Sequence, residues 1–289
     1  MTSLTDKYIN PFTDFGFKKL FGEEANKDIL IDFLNTLLEG EQPTIVDLTF
    51  IRNEHLGDQA LDRKAIFDLY CKNEKGEMFI VELQKSKQNF FKDRSVYYST
   101  FPIREQAERG NWNYQLKAVY TIGILDFVFE EDKQDADKYF YKIKLSDIET
   151  NKVFYDKLTF IYLEMPKFNK TEDELTSHFE RWMYVLKNLS RLQAYPEKLQ
   201  EKIFRKFFAQ AELAQMPAEM RQSYEDSLKY YRDLNSVIDT AFDDGVKVGR
   251  EEGRQRVLDI ARNLIDVLDV QTIAQKTGLS EADILALKS

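Results

Sequence analysis

Apolar positions near the start of the chain recur at helical spacing. Phe17, Leu20 and Phe21 share one face between Pro11, tolerated at a first helical position, and Gly22, which stops the run. Ile29, Leu30, Phe33, Leu34, Leu37 and Leu38 repeat at three and four residues and predict a second helix ending at Gly40. The period then shortens. Strand-type segments follow at 45–51, 65–72, 77–84 and 119–127, with two more at 139–145 and 158–163. Residues 88–109 read as a helix broken or kinked at Pro102. After Pro166 the pattern is helical. The chain is therefore expected to hold an α/β core over 1–168, a helical region over 169–236 and a tail over 237–289.

Residues 62–84, DRKAIFDLYCKNEKGEMFIVELQ, carry the most information. Two strand-type runs flank Asn73-Glu74-Lys75-Gly76-Glu77, and a three-residue loop Glu74-Lys75-Gly76 would put glycine at its left-handed position. That loop pairs Asn73 with Glu77 and sets Asp68 opposite Glu82. A two-residue loop would move Asp68 off Glu82. Alternation assigns Phe67, Leu69, Cys71, Phe79, Val81 and Leu83 to the core face. Ile66, Asp68, Tyr70, Ile80, Glu82 and Gln84 take the other face. Carboxylates opposite each other on neighbouring strands stand roughly 5 Å apart and repel. A divalent cation between them would offset that repulsion, and oxygen donors suit Mg²⁺ or Mn²⁺. So would screening on a solvated face, or pairing with Lys64 or Arg94.

Composition narrows the chemistry. The soft ligands are Cys71, His55 and His178, too few and too scattered for a structural zinc site. A single cysteine forms no intrachain disulfide, which fits a reducing cytoplasm. Residues 1–12 lack a basic stretch followed by an apolar one, so no secretory leader is expected. No apolar run approaches the roughly 18 residues of a spanning helix, and no membrane partner is expected. A net charge of −9 disfavours nucleic-acid binding over the whole surface, so such a site needs a local basic patch or a bridging metal. Lys85, Lys87, Lys92, Arg94, Arg104 and Arg109 follow the hairpin and could supply that rim.

The tail has its own pattern. Gly245, Gly249 and Gly253 recur every four residues in a charged helical stretch, which marks either a close helix pair or a weakened connecting helix. Residues 272–287 have the outline of a helix-turn-helix, with Gly278 as stop and Ser280 as N-cap. Glu281 and Asp283 stand where a groove-reading helix would carry basic or amide side chains, so a packing or oligomerisation hairpin is expected.

Asp68, a hairpin and then Glu82-Leu83-Gln84 resembles the D…(D/E)-x-K motif of the PD-(D/E)xK nuclease superfamily. More narrowly, it is similar to the transposase-like branch of recombination-promoting nucleases, in which glutamine often replaces the lysine. NPFTDFGFKKLFG at 10–22, VELQKSKQNFFKDRSVYYS at 81–99, IYLEMPKF at 161–168, the glycine-spaced helix and TGLSEADI extend the resemblance over most of the chain. It implies a restriction-endonuclease-like core, a mixed sheet flanked by helices, with a helical C-terminal region. It also implies a Mg²⁺-dependent DNA endonuclease, Mn²⁺ serving as well, linked to recombination or mobile elements.

On that resemblance Asp68 and Glu82 ligate the metal with the Leu83 carbonyl, and Gln84 orients the attacking water. Asp14 matches the family's helix-borne acid, although a charge at a helix N-terminus needs no other reason. Arg94 is a candidate phosphate contact or a partner of Asp93 or Glu82. Gln84 carries no charge, so part of the electrostatic stabilisation is missing. Alternation points Lys85 to the opposite face, while Lys87, just past the strand, could fold back. The alternative is a weak or inactive nuclease fold acting as a DNA-associated or protein-interaction module. Burial of the tail's apolar residues against a second copy would make the protein a homo-oligomer.

Overall fold

Six strands make one mixed sheet in the order β1-β2-β3-β4-β6-β5. They are β1 (Leu48–Phe50), β2 (Leu69–Asn73), β3 (Met78–Gln84), β4 (Val119–Leu125), β5 (Phe140–Ser146) and β6 (Val153–Glu164). The structure is a computed structural model and describes residues 6–51 and 67–287. Neighbours pair antiparallel except at β3–β4 and β4–β6, which are parallel. A parallel pair needs a crossover, and α3 (Phe91–Glu105) lies in the β3–β4 connection.

The β2–β3 hairpin has the expected register, with Leu69 opposite Val81 and Cys71 opposite Phe79. Its loop closes through Gly76 N–H to the Asn73 carbonyl at 3.0 Å and Asn73 N–H to the Glu77 carbonyl at 3.0 Å. Gly76 sits at φ +80°, a backbone that disfavours any Cβ. The early part of the expected 65–72 strand, with Lys64 and Ile66, lies outside the described residues, as does His55.

One sheet face, with Leu69, Cys71, Phe79, Val81 and Leu83, joins the main core. That core takes in α1 (Asp14–Phe21), α2 (Lys27–Leu37), α4 (His178–Asn188) and α5 (Lys202–Ala211). Trp182 is its hub, with ring contacts to Phe21, Phe33, Phe204 and Phe207. The opposite face is covered rather than solvated: Tyr70, Ile80 and Val119 pack with Phe101 of α3. Phe67 belongs to this second cluster, contacting Tyr98, which corrects its assignment to the first face. Asp68 forms a bend just outside β2, so alternation no longer governs the residue before it.

Several boundaries differ from the periodic reading. Helix α1 begins at Asp14, capped by Thr13, rather than at Pro11. The turn ahead of it folds so closely that a Cβ on Gly16 would come 2.1 Å from the Asn10 carbonyl oxygen. Helix α2 stops at Leu37, ahead of Gly40. Pro102 neither breaks α3 nor ends it, and the helix runs on from it to Glu105.

The architecture is thus an α/β mixed sheet flanked by helices and followed by a helical region. The chain forms two compact units, Met1–Tyr231 and Arg232–Ser289. The long α6 (Ala218–Leu264) runs from the first into the second. In the second unit, α7 (Val270–Thr277) and α8 (Glu281–Ala286) bury Ile273 and Ile284 against Ala261 of α6. Most of the hairpin's apolar side chains are therefore covered within the chain, Leu285 being the exposed one. Among the described residues, no helix is long and apolar enough to cross a membrane.

Candidate active site

Extending the β2–β3 pairing by one residue brings Asp68 beside Glu82, and two hydrogen bonds lace them together. The Asp68 N–H donates to Glu82 Oε1 at 3.3 Å, and the Leu83 N–H donates to Asp68 Oδ2 at 2.7 Å. Glu82 is 8% exposed. Burial, then the Asp68 charge, push its carboxyl up to about 8, against the opposing pull of Arg94. Burial also raises Asp68, opposed by the Leu83 N–H; Asp14 raises it further, while Lys18 and Lys85 lower it. Two acids held together out of water both lose affinity for their own negative charge.

Across the parallel ladder Glu82 faces Gly123, and the space a side chain would need there is filled by Tyr162 and Phe91. Gln84 is buried, and both ends of its amide are engaged. Its nitrogen donates to the Ser86 carbonyl at 3.0 Å, and its oxygen accepts from Arg94 of α3. Arg94 also donates to Gln88, and its guanidinium lies 5.0 Å from the Phe91 ring centroid and 5.6 Å from that of Tyr98. The Tyr98 hydroxyl is raised, first by burial and then by the Glu82 charge.

Helix α1 supplies the other side. Asp14 forms an ion pair with Lys85 at 2.8 Å. This puts Lys85 on the face that alternation gives it, opposite Glu82 and Gln84, where α1 packs on Leu83. Lys87 instead pairs with Glu130 at 2.9 Å, and Lys92 pairs with Glu131. The expected basic rim is thus largely neutralised: Lys85, Lys87 and Lys92 each have a carboxylate partner.

The structure therefore gathers Asp14, Asp68, Glu82, Gln84 and Arg94 around the end of β3, and carries the Lys87 ammonium to Glu130. Sequence reasoning missed Lys18, Tyr98 and Gly123. Lys18 had a signal, since it stands one helical turn after Asp14 on the same face. Gly123 had none, because its role depends on a parallel register that no local pattern reveals.

The donor set is consistent with a hard cation. Among the described residues no group of three or more His, Cys, Asp and Glu side chains could hold a metal, so two carboxylates are what Asp68 and Glu82 offer. Mg²⁺ is commonly held by one or two carboxylates while keeping several waters. The raised proton affinity of both acids marks a place where a cation would relieve an unmet electrostatic cost.

The family model described as PD-(D/E)XK nuclease family transposase matches residues 11–241. No curated protein and no solved structure matches the chain.

Proposed function

The chain belongs to the PD-(D/E)XK nuclease family transposases, and on that premise we propose that it is a metal-dependent DNA endonuclease acting in recombination or mobile-element biology. The observation that carries this reading is the buried Asp68–Glu82 pair, with its raised proton affinity, at the end of β3. Asp68, Glu82 and the Leu83 carbonyl would hold Mg²⁺ or Mn²⁺. A bound divalent cation supplies Lewis-acid polarisation of the scissile phosphate and stabilises charge there.

The chain's own residues orient and exclude. Arg94 holds the Gln84 amide in one orientation, so that side chain is positioned before any substrate arrives. Phe91 and Tyr162 fill the space beside Gly123 and keep water from that side of Glu82. Lys18 and Arg94 bring positive charge to the carboxylate pair and would do the same for a nearby phosphate.

A second reading has one observation in its favour. The Gln84 oxygen already accepts from Arg94, which leaves it less free to orient a water. A weak nuclease, or one that binds DNA without cutting it, would keep the fold with such a site. Incubating supercoiled plasmid with wild type and Asp68→Ala in Mg²⁺, Mn²⁺ or EDTA decides between them. Nicked circles with wild type and either cation, and with neither Asp68→Ala nor EDTA, are the expected result. Intact plasmid throughout would leave the binding module.

A further inference from the structure

Phe90, the residue just ahead of α3, combines two features that packing does not explain. Its backbone is left-handed, at φ +63° and ψ +27°, a conformation that strains a bulky residue and that glycine adopts readily. Its side chain is 78% exposed, so burial offsets little of that strain. Nor does it cap the helix, since α3 has no side-chain N-cap bond. Phe90 lines a cavity of about 260 Å³ together with the buried rings of Phe91 and Phe129. Gln88 and Asn89 bring to the same cavity amides that both donate and accept. Its lysines are already matched, Lys87 by Glu130 and Lys92 by Glu131, and Asp93 adds a further carboxylate. These walls therefore hold little attraction for a phosphate. The cavity adjoins the candidate site, because Gln88 accepts from the same Arg94 guanidinium that holds Gln84.

Aromatic walls, amide hydrogen-bonding groups and lysines matched by carboxylates are the complement of a flat, neutral ring with polar edges. We propose that this cavity takes an unpaired nucleobase of the DNA, which stacks on Phe90 and meets Gln88 and Asn89 along its edge. The proposal rests on the nuclease reading above for its substrate, and narrows that substrate to DNA with unpaired bases beside the cut. Stacking on an aromatic ring draws on no phosphate attraction, which suits a chain of net charge −9 whose basic rim is largely neutralised. A base inside a duplex is already paired and stacked, so it reaches such a pocket only by leaving the helix. The strained backbone fits the same role, since it holds the Phe90 ring out at the cavity before any substrate arrives.

The test measures binding in EDTA by fluorescence polarisation, with full-length wild type, Phe90→Ala, Phe90→Trp and Phe90→Gly. The probes are a labelled oligothymidine, the same strand with abasic sugars throughout, and a blunt duplex of equal length. Wild type is expected to bind oligothymidine most tightly of the three. Phe90→Ala should weaken that binding roughly tenfold, the scale of one base–aromatic stack. It should leave abasic binding and the salt dependence unchanged, because no phosphate contact is lost. Phe90→Trp should bind at least as tightly as wild type. Phe90→Gly, which suits the left-handed backbone, should bind as weakly as Phe90→Ala while melting no lower than wild type. Oligothymidine binding by Phe90→Ala within about twofold of wild type overturns the proposal. So does equal wild-type affinity for strand and duplex, or a lower melting temperature in Phe90→Gly, which would make the ring a packing element. Because these affinities need no metal, plasmid left uncut in Mn²⁺ sinks the nuclease reading and leaves base docking to be judged on them. A wild type that binds none of the three probes overturns base docking itself.

Discussion

Gly123 stands directly across the parallel β3–β4 ladder from Glu82, in a space tight for any larger residue. A Cβ would come 3.0 Å from the Tyr162 ring and 3.3 Å from Leu125. Gly123→Ala is therefore expected to lower stability by about 1–3 kcal/mol, the range for overpacking a filled core. Urea unfolding measures it, and a variant as stable as wild type would show that the Tyr162 ring moves aside at no cost.

Restoring the family's lysine should harm this chain. Gln84→Lys would put an ammonium against the Arg94 guanidinium at a position only 7% exposed. We expect a loss of about 3 kcal/mol, as for a buried charge deprived of compensation. The double variant Gln84→Lys/Arg94→Gln should recover most of it. A double-mutant cycle by chemical denaturation checks the pair, and strict additivity would mean the two side chains do not interact.

Glu82→Gln resembles the protonated acid that burial and Asp68 favour. Without divalent cation its melting temperature should equal or exceed that of wild type. Adding Mn²⁺ to 100 times its dissociation constant should stabilise wild type by about 2.7 kcal/mol and leave the variant unmoved. An equal Mn²⁺ shift in both proteins would remove Glu82 from the proposed ligands.

His178 gives the fold a pH dependence away from the candidate site. Its Nε2 lies 2.6 Å from Asp32 and its Nδ1 lies 2.7 Å from Glu201, so only the imidazolium can donate to both. The Asp32 hydrogen bond is the main cause of its raised pKa, and it outweighs the opposing effect of burial. A raised folded-state value stabilises fully below the ordinary value of 6.5 and loses that contribution as pH rises through the folded value. The stability gap between wild type and His178→Asn should thus shrink from pH 5.5 to pH 9, by about 1 kcal/mol or less for so accessible a group. Urea titrations at both pH values test the sign, and a gap that widens would refute it.

The surface for self-association is expected on α6, because most of the hairpin's apolar residues are already covered. Ile238 and Phe242 are 40% and 70% exposed and stand one helical turn apart, on one face with Gly245 and Gly249. A Cβ on Gly245, Gly249 or Gly253 would meet nothing within 4 Å, so the chain's own packing does not demand these glycines. Phe242→Asp should convert a sedimenting oligomer to monomer. Identical masses for variant and wild type would count against this surface.

The hairpin was legible because its loop, glycine and alternation agree: residues 73–77 determine a register, and the register brings Asp68 to Glu82. Legibility failed where a strand stops. Phe67 lies just beyond the start of β2 and turned to the side that alternation had not assigned, whereas Lys85, just past β3, kept its assigned face and met Asp14 of α1 there. Alternation also cannot say whether a polar-bearing face meets water or a helix. Here α3 covers it, which is why Glu82 is buried and its proton affinity raised. The fate of the basic cluster depended on Glu130 and Glu131, some forty residues downstream, and no local pattern pairs them with Lys87 and Lys92.

Every candidate site residue has been synthesised once translation passes Arg94, but the layer that secures them comes much later in the chain. The first turns of α6 reach back to the site's supports: Tyr224 accepts from the Asn10 N–H, Ser227 accepts from the Phe15 N–H, and Tyr231 donates to Asp126 just past β4. Tyr230 lies against Lys85. At roughly 5–20 residues per second, these contacts wait on the order of ten seconds after Arg94 has been added. A nascent chain therefore carries its acids for that interval without the helix that anchors them, and a transcript cut short before residue 218 would leave them unsecured for good.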